Sequence, residues 1–145
     1  MIRKADDSDA VIIHDMMSAI PWISETTKTA DGLAKVTEFC NRGDIFVSTI
    51  DGKIAALMVL QREYLAADFG HNLWSIPLVT TIESERRKGH ARMLITRAKQ
   101  IAGNGVIQAH AQNDNSRDLL ISEGFVHVDG ETDVRGHPLY QWSSD

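Results

Sequence analysis

Apolar residues recur along this chain at two periods, which separate predicted helices from predicted strands. Helical spacing occurs in three segments, 12–20, 33–40 and 91–102. A fourth helix is predicted from side-chain caps at Asn115 and Ser116 and from Gly124 at its end. Apolar and β-branched runs typical of strands occur at 1–5, 45–50, 53–60, 73–82, 106–111, 125–128 and 139–142. The predicted order of elements is therefore β-α-α-β-β-β-α-β-α-β-β, a mixed α/β fold.

Short segments between these elements predict how the strands pair. Asp51-Gly52 between two strand-like runs is a strong signal for a β-hairpin. The unit formed by strand 73–82, the following helix and strand 106–111 favours a parallel pair, since parallel strands need a crossover connection. Pro77 inside strand 73–82 predicts a bulge or an edge, because proline cannot donate to a ladder.

Composition limits the classes of protein that fit. The chain has 145 residues, of which 43% are hydrophobic and 24% charged, and we expect one globular domain spanning residues 1–145. A net charge of −5 argues against an extensive nucleic-acid surface. The longest apolar run, 54–60, is too short for a membrane span, and the first residues lack a secretory pattern, so we expect a cytoplasmic protein. Cys40 has no partner for an intrachain disulfide, and the histidines lack paired ligand spacing, so no metal is predicted.

The turn from Glu83 to Ala91 is the chemically most informative stretch. It places Arg86, Arg87 and Lys88 at the start of a helix, where the backbone already presents unpaired N–H groups and partial positive charge. A bound phosphate would resolve this conflict, because it would be held by the N–H groups and neutralised by the cations. The alternative is a solvated cationic turn balanced by nearby glutamates.

Two motifs resemble the GNAT superfamily of N-acetyltransferases. Arg86-x-x-Gly89-x-Ala91 fits the family's Gln/Arg-x-x-Gly-x-Gly/Ala signature, and the segment from Asn113 to Phe125 is similar to its Asn-x-x-(small)-x-x-Leu-Tyr-x-x-x-Gly-Phe segment. The second segment also suits an ordinary capped helix that ends at a glycine. The spacing of the two motifs favours the family.

The resemblance implies a fold and a cofactor. The fold would be a mostly antiparallel sheet of about six or seven strands with about four helices, in which parallel β4 and β5 splay apart. Acetyl-CoA would be the cosubstrate, with no metal, and an amine of a small molecule or peptide would attack it directly. Carried over by position, the cofactor-binding residues would be Val79, Thr81, Arg86, Arg87, Lys88, Gly89, His90, Ala91, Asn113 and Ser116.

The catalytic groups are harder to place by resemblance. Where many family members have a tyrosine beside the thiolate, this chain has Leu120, and its fourth strand lacks the glutamate that often serves as base. His110 and Tyr140 are the candidate catalytic residues in their place. Trp22 and Glu25, in the connection between the first two helices, are the candidates for substrate contact. A homodimer stays open.

Two other functions fit the same residues. Leu120 and the missing glutamate motivate an acyl-CoA-binding module without turnover. The cationic turn would also suit a phosphopeptide- or nucleotide-binding domain with no preference for CoA.

Overall fold

The computed structural model describes residues 1–20, 23, 25–63 and 72–144. Within these ranges the chain forms seven β-strands and four α-helices. In chain order they are β1 (Ile2–Lys4), α1 (Ala10–Ser18), α2 (Ala30–Arg42), β2 (Ile45–Ile50), β3 (Lys53–Glu63), β4 (Leu73–Thr81), α3 (His90–Ala102), β5 (Val106–His110), α4 (Asp114–Ser122), β6 (Val126–Thr132) and β7 (Pro138–Ser143). This order agrees with the order predicted from the hydrophobic pattern.

The strands form one mixed sheet in the order β1-β2-β3-β4-β5-β7-β6. β4 and β5 are parallel, whereas the pairs β1–β2, β2–β3, β5–β7 and β7–β6 are antiparallel. α3 connects the two parallel strands, as such a pair requires. The predicted mixed α/β sheet with parallel β4 and β5 is therefore confirmed.

The chain divides into two compact units, and the first comprises Met1–Val59 and Val79–Leu94. Aliphatic side chains from its helices and strands fill its centre, where Ile13, Ile45 and Leu57 are completely buried. These are the inward-facing positions of α1, β2 and β3. Burial of the apolar face of each element is the main force that holds this unit together.

The hairpin between β2 and β3 also lies in this first unit. Asp51 and Gly52 have φ values of 51° and 78°. Two successive positive φ values give a turn whose twist matches that of the flanking strands. The hairpin predicted from this dipeptide is confirmed.

The second unit comprises Leu60–Leu78 and Ile95–Asp145. Ala98 and Ile107 are completely buried at its centre, and Phe125 is nearly so. They come from α3, from β5 and from the segment that leads into β6. One unit therefore contains the β4–β5 pair together with β7 and β6.

Gly105 fixes the start of the parallel pair in this second unit. A Cβ atom added at Gly105 would lie 2.5 Å from the carbonyl oxygen of Asn72, which is too close for any side chain. The same carbonyl accepts a hydrogen bond of 3.0 Å from the N–H of Val106. The loop before β5 therefore packs directly on the residue before β4.

The turn between β6 and β7 is built around Asp133. Its Oδ1 accepts the backbone N–H groups of Arg135 and His137 at 2.9 Å each, and its Oδ2 lies 2.9 Å from His137 Nδ1. Partial burial raises the pKa of the Asp133 carboxyl, but these hydrogen bonds outweigh that effect and lower the pKa to about 2. The carboxylate thus stays ionised and holds the turn.

Candidate functional site

The turn between β4 and α3 has an unusual backbone. A 3₁₀ turn at Glu83–Glu85 is followed by Arg86 in an extended conformation. Arg87 then adopts a φ of 65°, which is rare for a residue with a side chain. Such a conformation costs about 1 to 2 kcal/mol and is found most often at functional sites. Arg87 and Asp51 are thus the two described residues of the first unit that carry a side chain at a positive φ.

Gly89 precedes the first residue of α3. It has a φ of 88°, and a Cβ atom added there would meet no other atom within 4 Å. The first intrahelical hydrogen bond of α3 runs from Met93 N to Gly89 O, at 3.0 Å. The N–H groups of the first helical turn therefore have no carbonyl partner inside the helix. This is the local geometry that binds phosphate at helix N-termini.

The three cations of the turn have different surroundings. Lys88 Nζ lies 2.8 Å from Glu85 Oε2, so this lysine is already paired. Arg86 Nε donates to the carbonyl oxygen of Thr81 at 3.3 Å, which ties the guanidinium to the end of β4. Arg87, the residue with the positive φ, is exposed. A solvated turn balanced by glutamate thus describes Lys88 better than it describes the arginines.

His90 lies at the first position of α3, but its side chain is buried, with 5% exposure. Its Nδ1 lies 2.7 Å from Oγ of Ser48, which is completely buried on β2. Nε2 is buried and has no hydrogen-bond partner within the described part of the chain. Whichever tautomer is present, the imidazole is fixed to β2, so a contact between His90 and phosphate would come from its backbone N–H.

In the second unit, the ladder between β4 and β5 is short. Leu73–Ser75 pair with Val106–Gln108, although β4 has 9 residues and β5 has 5. The pairing ends two residues before Pro77, which has no N–H to offer. The predicted separation of the two parallel strands is therefore present. Val79 and Thr81, the expected pantetheine contacts, lie on β4 beyond the end of this ladder.

A cavity of about 550 Å³ opens where the two strands separate. Its described lining residues all belong to the second unit: Glu63, Leu73, Ser75, Ile76, Pro77, Gln108, Ala109 and His110. This volume is in the range of small-molecule sites. The walls combine apolar side chains with a few polar groups, an arrangement that orients a small ligand.

Of the two predicted catalytic residues, the structure places His110 at this cavity. His110 is the last residue of β5, and its backbone pairs with Leu139 on β7. Tyr140 is buried, with 6% exposure, and its ring centroid lies 5.4 Å from that of His127. Tyr140 is not among the described residues that line the cavity, so its contacts indicate packing.

Glu63, the last residue of β3, is the cavity residue that the sequence did not reveal. Its Oε1 accepts a hydrogen bond of 2.7 Å from Ser75 Oγ. The hydrophobic run ends at Leu60, so sequence patterning stops the strand three residues too early, whereas the structure continues β3 to Glu63. A search for carboxylates on the strand next to β4 would have found it.

The second sequence motif forms the start of α4. Asn113 Oδ1 accepts the N–H of Ser116 at 2.9 Å, and Ser116 Oγ accepts the N–H of Asn113 at 3.0 Å. This capping box matches the reading of the segment as an ordinary capped helix. The amide oxygen of Asn113 is thus already used. Leu120 is buried, with 6% exposure, and holds an apolar side chain where the family often has a phenol.

The predicted substrate contacts receive little support. Glu25 is exposed, and its Oε1 lies 3.1 Å from Lys28 Nζ, an ion pair typical of a solvated surface. Trp22 lies outside the described residues. Cys40 is buried, which raises the pKa of its thiol to about 11 and makes it a poor nucleophile.

In the ranges that the structure describes, no group of three or more His, Cys, Asp or Glu side chains is arranged to hold a metal ion. No helix in those ranges is long and apolar enough to cross a membrane.

Solved structures with a similar backbone decide the fold. The structure of yncA from Salmonella typhimurium, assigned as an acetyltransferase and determined with acetyl-CoA, is 22% identical, with a TM-score of 0.73 over 100% of this chain and 94% of its own. PaiA N-acetyltransferase from Thermoplasma acidophilum, in complex with coenzyme A, is 16% identical, with a TM-score of 0.76 over 99% and 98%. The fold is that of the GNAT acetyltransferases.

A third GNAT structure was solved with an acceptor. Diaminobutyrate acetyltransferase EctA from Paenibacillus lautus, in complex with L-2,4-diaminobutyric acid and coenzyme A, is 15% identical, with a TM-score of 0.74 over 99% of this chain and 93% of its own. No protein-family model matches the sequence, and no curated protein matches it either. At such identities the likeness establishes the GNAT fold, and function has to be argued from the site.

Proposed function

We propose that this chain is an acetyl-CoA-dependent N-acetyltransferase that transfers the acetyl group directly to an amine. The observation that carries the proposal is the end of the β4–β5 ladder after Ser75 and Gln108. Beyond it, β4 continues as an extended strand to Thr81, and its peptide groups suit an extended ligand that contains amides, such as the pantetheine arm of CoA.

The turn before α3 is proposed to bind the pyrophosphate. The N–H groups from Gly89 to Ala91 would contact phosphate oxygens, and the open space at Gly89 leaves room for them. Arg86 and Arg87 would supply charge-assisted contacts. Lys88 would add a weaker contribution, because Glu85 already pairs with it. Asn113 and Ser116, at the start of α4, remain candidates for contact with the cofactor.

The chemical step joins two simple events. The lone pair of the amine nitrogen attacks the thioester carbonyl carbon, so that a C–N bond forms and the C–S bond breaks. The nitrogen loses one proton, for which His110 is the proposed acceptor, and CoA leaves as a thiolate. A thiol with an ordinary pKa of about 8.5 needs little acid assistance near neutral pH. Tyr140 remains a candidate proton donor, although its side chain is buried.

One observation favours a second function, an acyl-CoA-binding module without turnover. Leu120 puts a buried apolar side chain where many family members have the tyrosine that protonates the thiolate. If departure of the thiolate requires such a donor, the chain would bind acetyl-CoA and release it unchanged.

The test is the release of CoA thiol from acetyl-CoA with and without a panel of amines, together with calorimetric titration of CoA. An amine-dependent release supports the transferase. CoA binding without such release supports the binding module, and no CoA binding would contradict both. Binding of simple phosphate compounds with no preference for CoA would instead favour the phosphopeptide or nucleotide domain.

A further inference from the structure

The end of β3 places a carboxylate at the mouth of the β4–β5 opening. Glu63 Oε1 accepts a hydrogen bond of 2.7 Å from Ser75 Oγ, and both residues line the cavity. Ser75 belongs to the paired part of β4, so its backbone is held in place. A carboxylate has about four acceptor positions, and one hydrogen bond leaves others for a ligand. Glu63 is therefore an oriented anion.

No lysine or arginine is among the described residues that line the other walls. The remaining described lining residues are apolar or carry an amide or an imidazole, and none is a lysine or an arginine. The sequence between Glu63 and Trp74 contains no lysine or arginine either. The neighbouring cation, Arg62, lies 5.6 Å from the centroid of the Trp74 ring and is not among the described lining residues. A carboxylate placed in this cavity would thus face Glu63, with no lysine or arginine among the described lining residues to balance its charge.

We propose that Glu63, positioned by Ser75, is the counter-ion for the ammonium group of the acceptor, and that the cavity selects primary amines without a carboxylate over amino acids. The inference rests on the proposed function, because an acceptor site presupposes acetyl transfer. Opposite charge attracts the ammonium, and the same charge repels a carboxylate, so one residue produces both effects. The apolar walls contributed by Leu73 and Ile76 suit the hydrocarbon part of such an amine.

Butylamine and 4-aminobutyrate test this selectivity, because they differ only in the carboxylate. For the parent protein we expect kcat/KM to be about tenfold higher for butylamine. Glu63→Gln keeps the shape and an oxygen for Ser75 but removes the charge. It should raise the KM for butylamine about three- to fivefold, which corresponds to about 0.7 to 1 kcal/mol for a solvent-accessible pair. The preference for butylamine should fall toward unity, with kcat less affected.

Glu131→Gln is the matched control. Glu131 is exposed on β6 and loses the same charge away from the cavity, so its kinetic constants should equal those of the parent. If the parent acetylates 4-aminobutyrate as efficiently as butylamine, or if Glu63→Gln keeps the full preference, the proposal is overturned while the acetyltransferase function stands.

A separate measurement covers the case in which the proposed function fails. If the parent acetylates no amine, butylamine is titrated into the protein, with CoA present, and followed by amide NMR shifts. Saturable shifts around β4 in the parent that need about three- to fivefold more butylamine to saturate in Glu63→Gln would support an amine site without catalysis. Shifts that are equal in the two proteins, or absent from both, would overturn it.

Discussion

Substitutions at Gly89 test whether the turn before α3 binds the pyrophosphate. Gly89 has a φ of 88° and Gly130, on β6, has a φ of 78°, and an added Cβ atom meets nothing within 4 Å at either position. Alanine at either position should therefore lower the free energy of unfolding by a similar amount, about 1 to 2 kcal/mol, through backbone strain. Gly130 is thus a matched control for the effect of Gly89 on stability.

Glutamate at these two positions separates strain from binding. A carboxylate at position 89 would stand about 6 Å from a bound phosphate charge, where repulsion amounts to about 0.7 kcal/mol in water and about 3 kcal/mol at an effective dielectric constant near 20. Gly89→Glu should therefore raise the Kd for CoA between about threefold and about a hundredfold. Gly130→Glu should leave this Kd unchanged.

Calorimetric titration with CoA measures the affinity, and urea denaturation measures the stability of each variant. In the ratio of the Kd values of the two glutamate variants, any effect of the backbone strain that they share cancels. If folded Gly89→Glu and Gly130→Glu bind CoA equally well, the turn is not the pyrophosphate site and a solvated cationic turn is the better description.

Three further predictions concern cations, catalysis and pH. Arg86→Ala and Arg87→Ala should each raise the Kd for CoA, measured by calorimetry, about three- to tenfold, and the increase should be larger at low than at high ionic strength. Kd values equal to that of the parent at both ionic strengths would show that these arginines do not contact the phosphates. His110→Asn should lower kcat about a hundredfold at unchanged CoA affinity, whereas Tyr140→Phe should change kcat by less than about twofold in the thiol-release assay; a tenfold loss in Tyr140→Phe would identify the phenol as proton donor. The pKa of the Asp133 carboxyl is about 2 in the folded chain, below its ordinary value of 3.8. Its carboxylate therefore stabilises the fold above about pH 4, and this stabilisation is lost as the pH falls through 2. Between pH 2 and 5, the melting temperature should therefore rise less steeply with pH for Asp133→Asn than for the parent. An equally steep rise in the two proteins would contradict this role.

Local sequence determined the elements and the signature turn. The two hydrophobic periods give helices and strands because the repeats of 3.6 and 2 residues are properties of neighbouring residues. Asp51-Gly52 forms its hairpin for the same reason, since the positive φ values are needed within the dipeptide itself. The segment from Arg86 to Ala91 was also readable, because strand, turn and helix N-terminus follow one another directly along the chain.

Tertiary structure decided which side chains meet. Glu63 and Ser75 are 12 positions apart in sequence, and only the adjacent ends of β3 and β4 bring the carboxylate to the hydroxyl. The sequence predicts His90 as a phosphate contact. In the structure, its imidazole is instead buried against the hydroxyl of Ser48, which is 42 positions away in sequence. The ring of Tyr140 likewise lies 5.4 Å from that of His127 on β6, a contact between residues that are 13 positions apart in sequence. Contacts between distant residues depend on strand order and register, which local patterns do not encode. The sequence therefore located the turn that we propose to bind phosphate, whereas the tertiary structure determined which residues line the cavity.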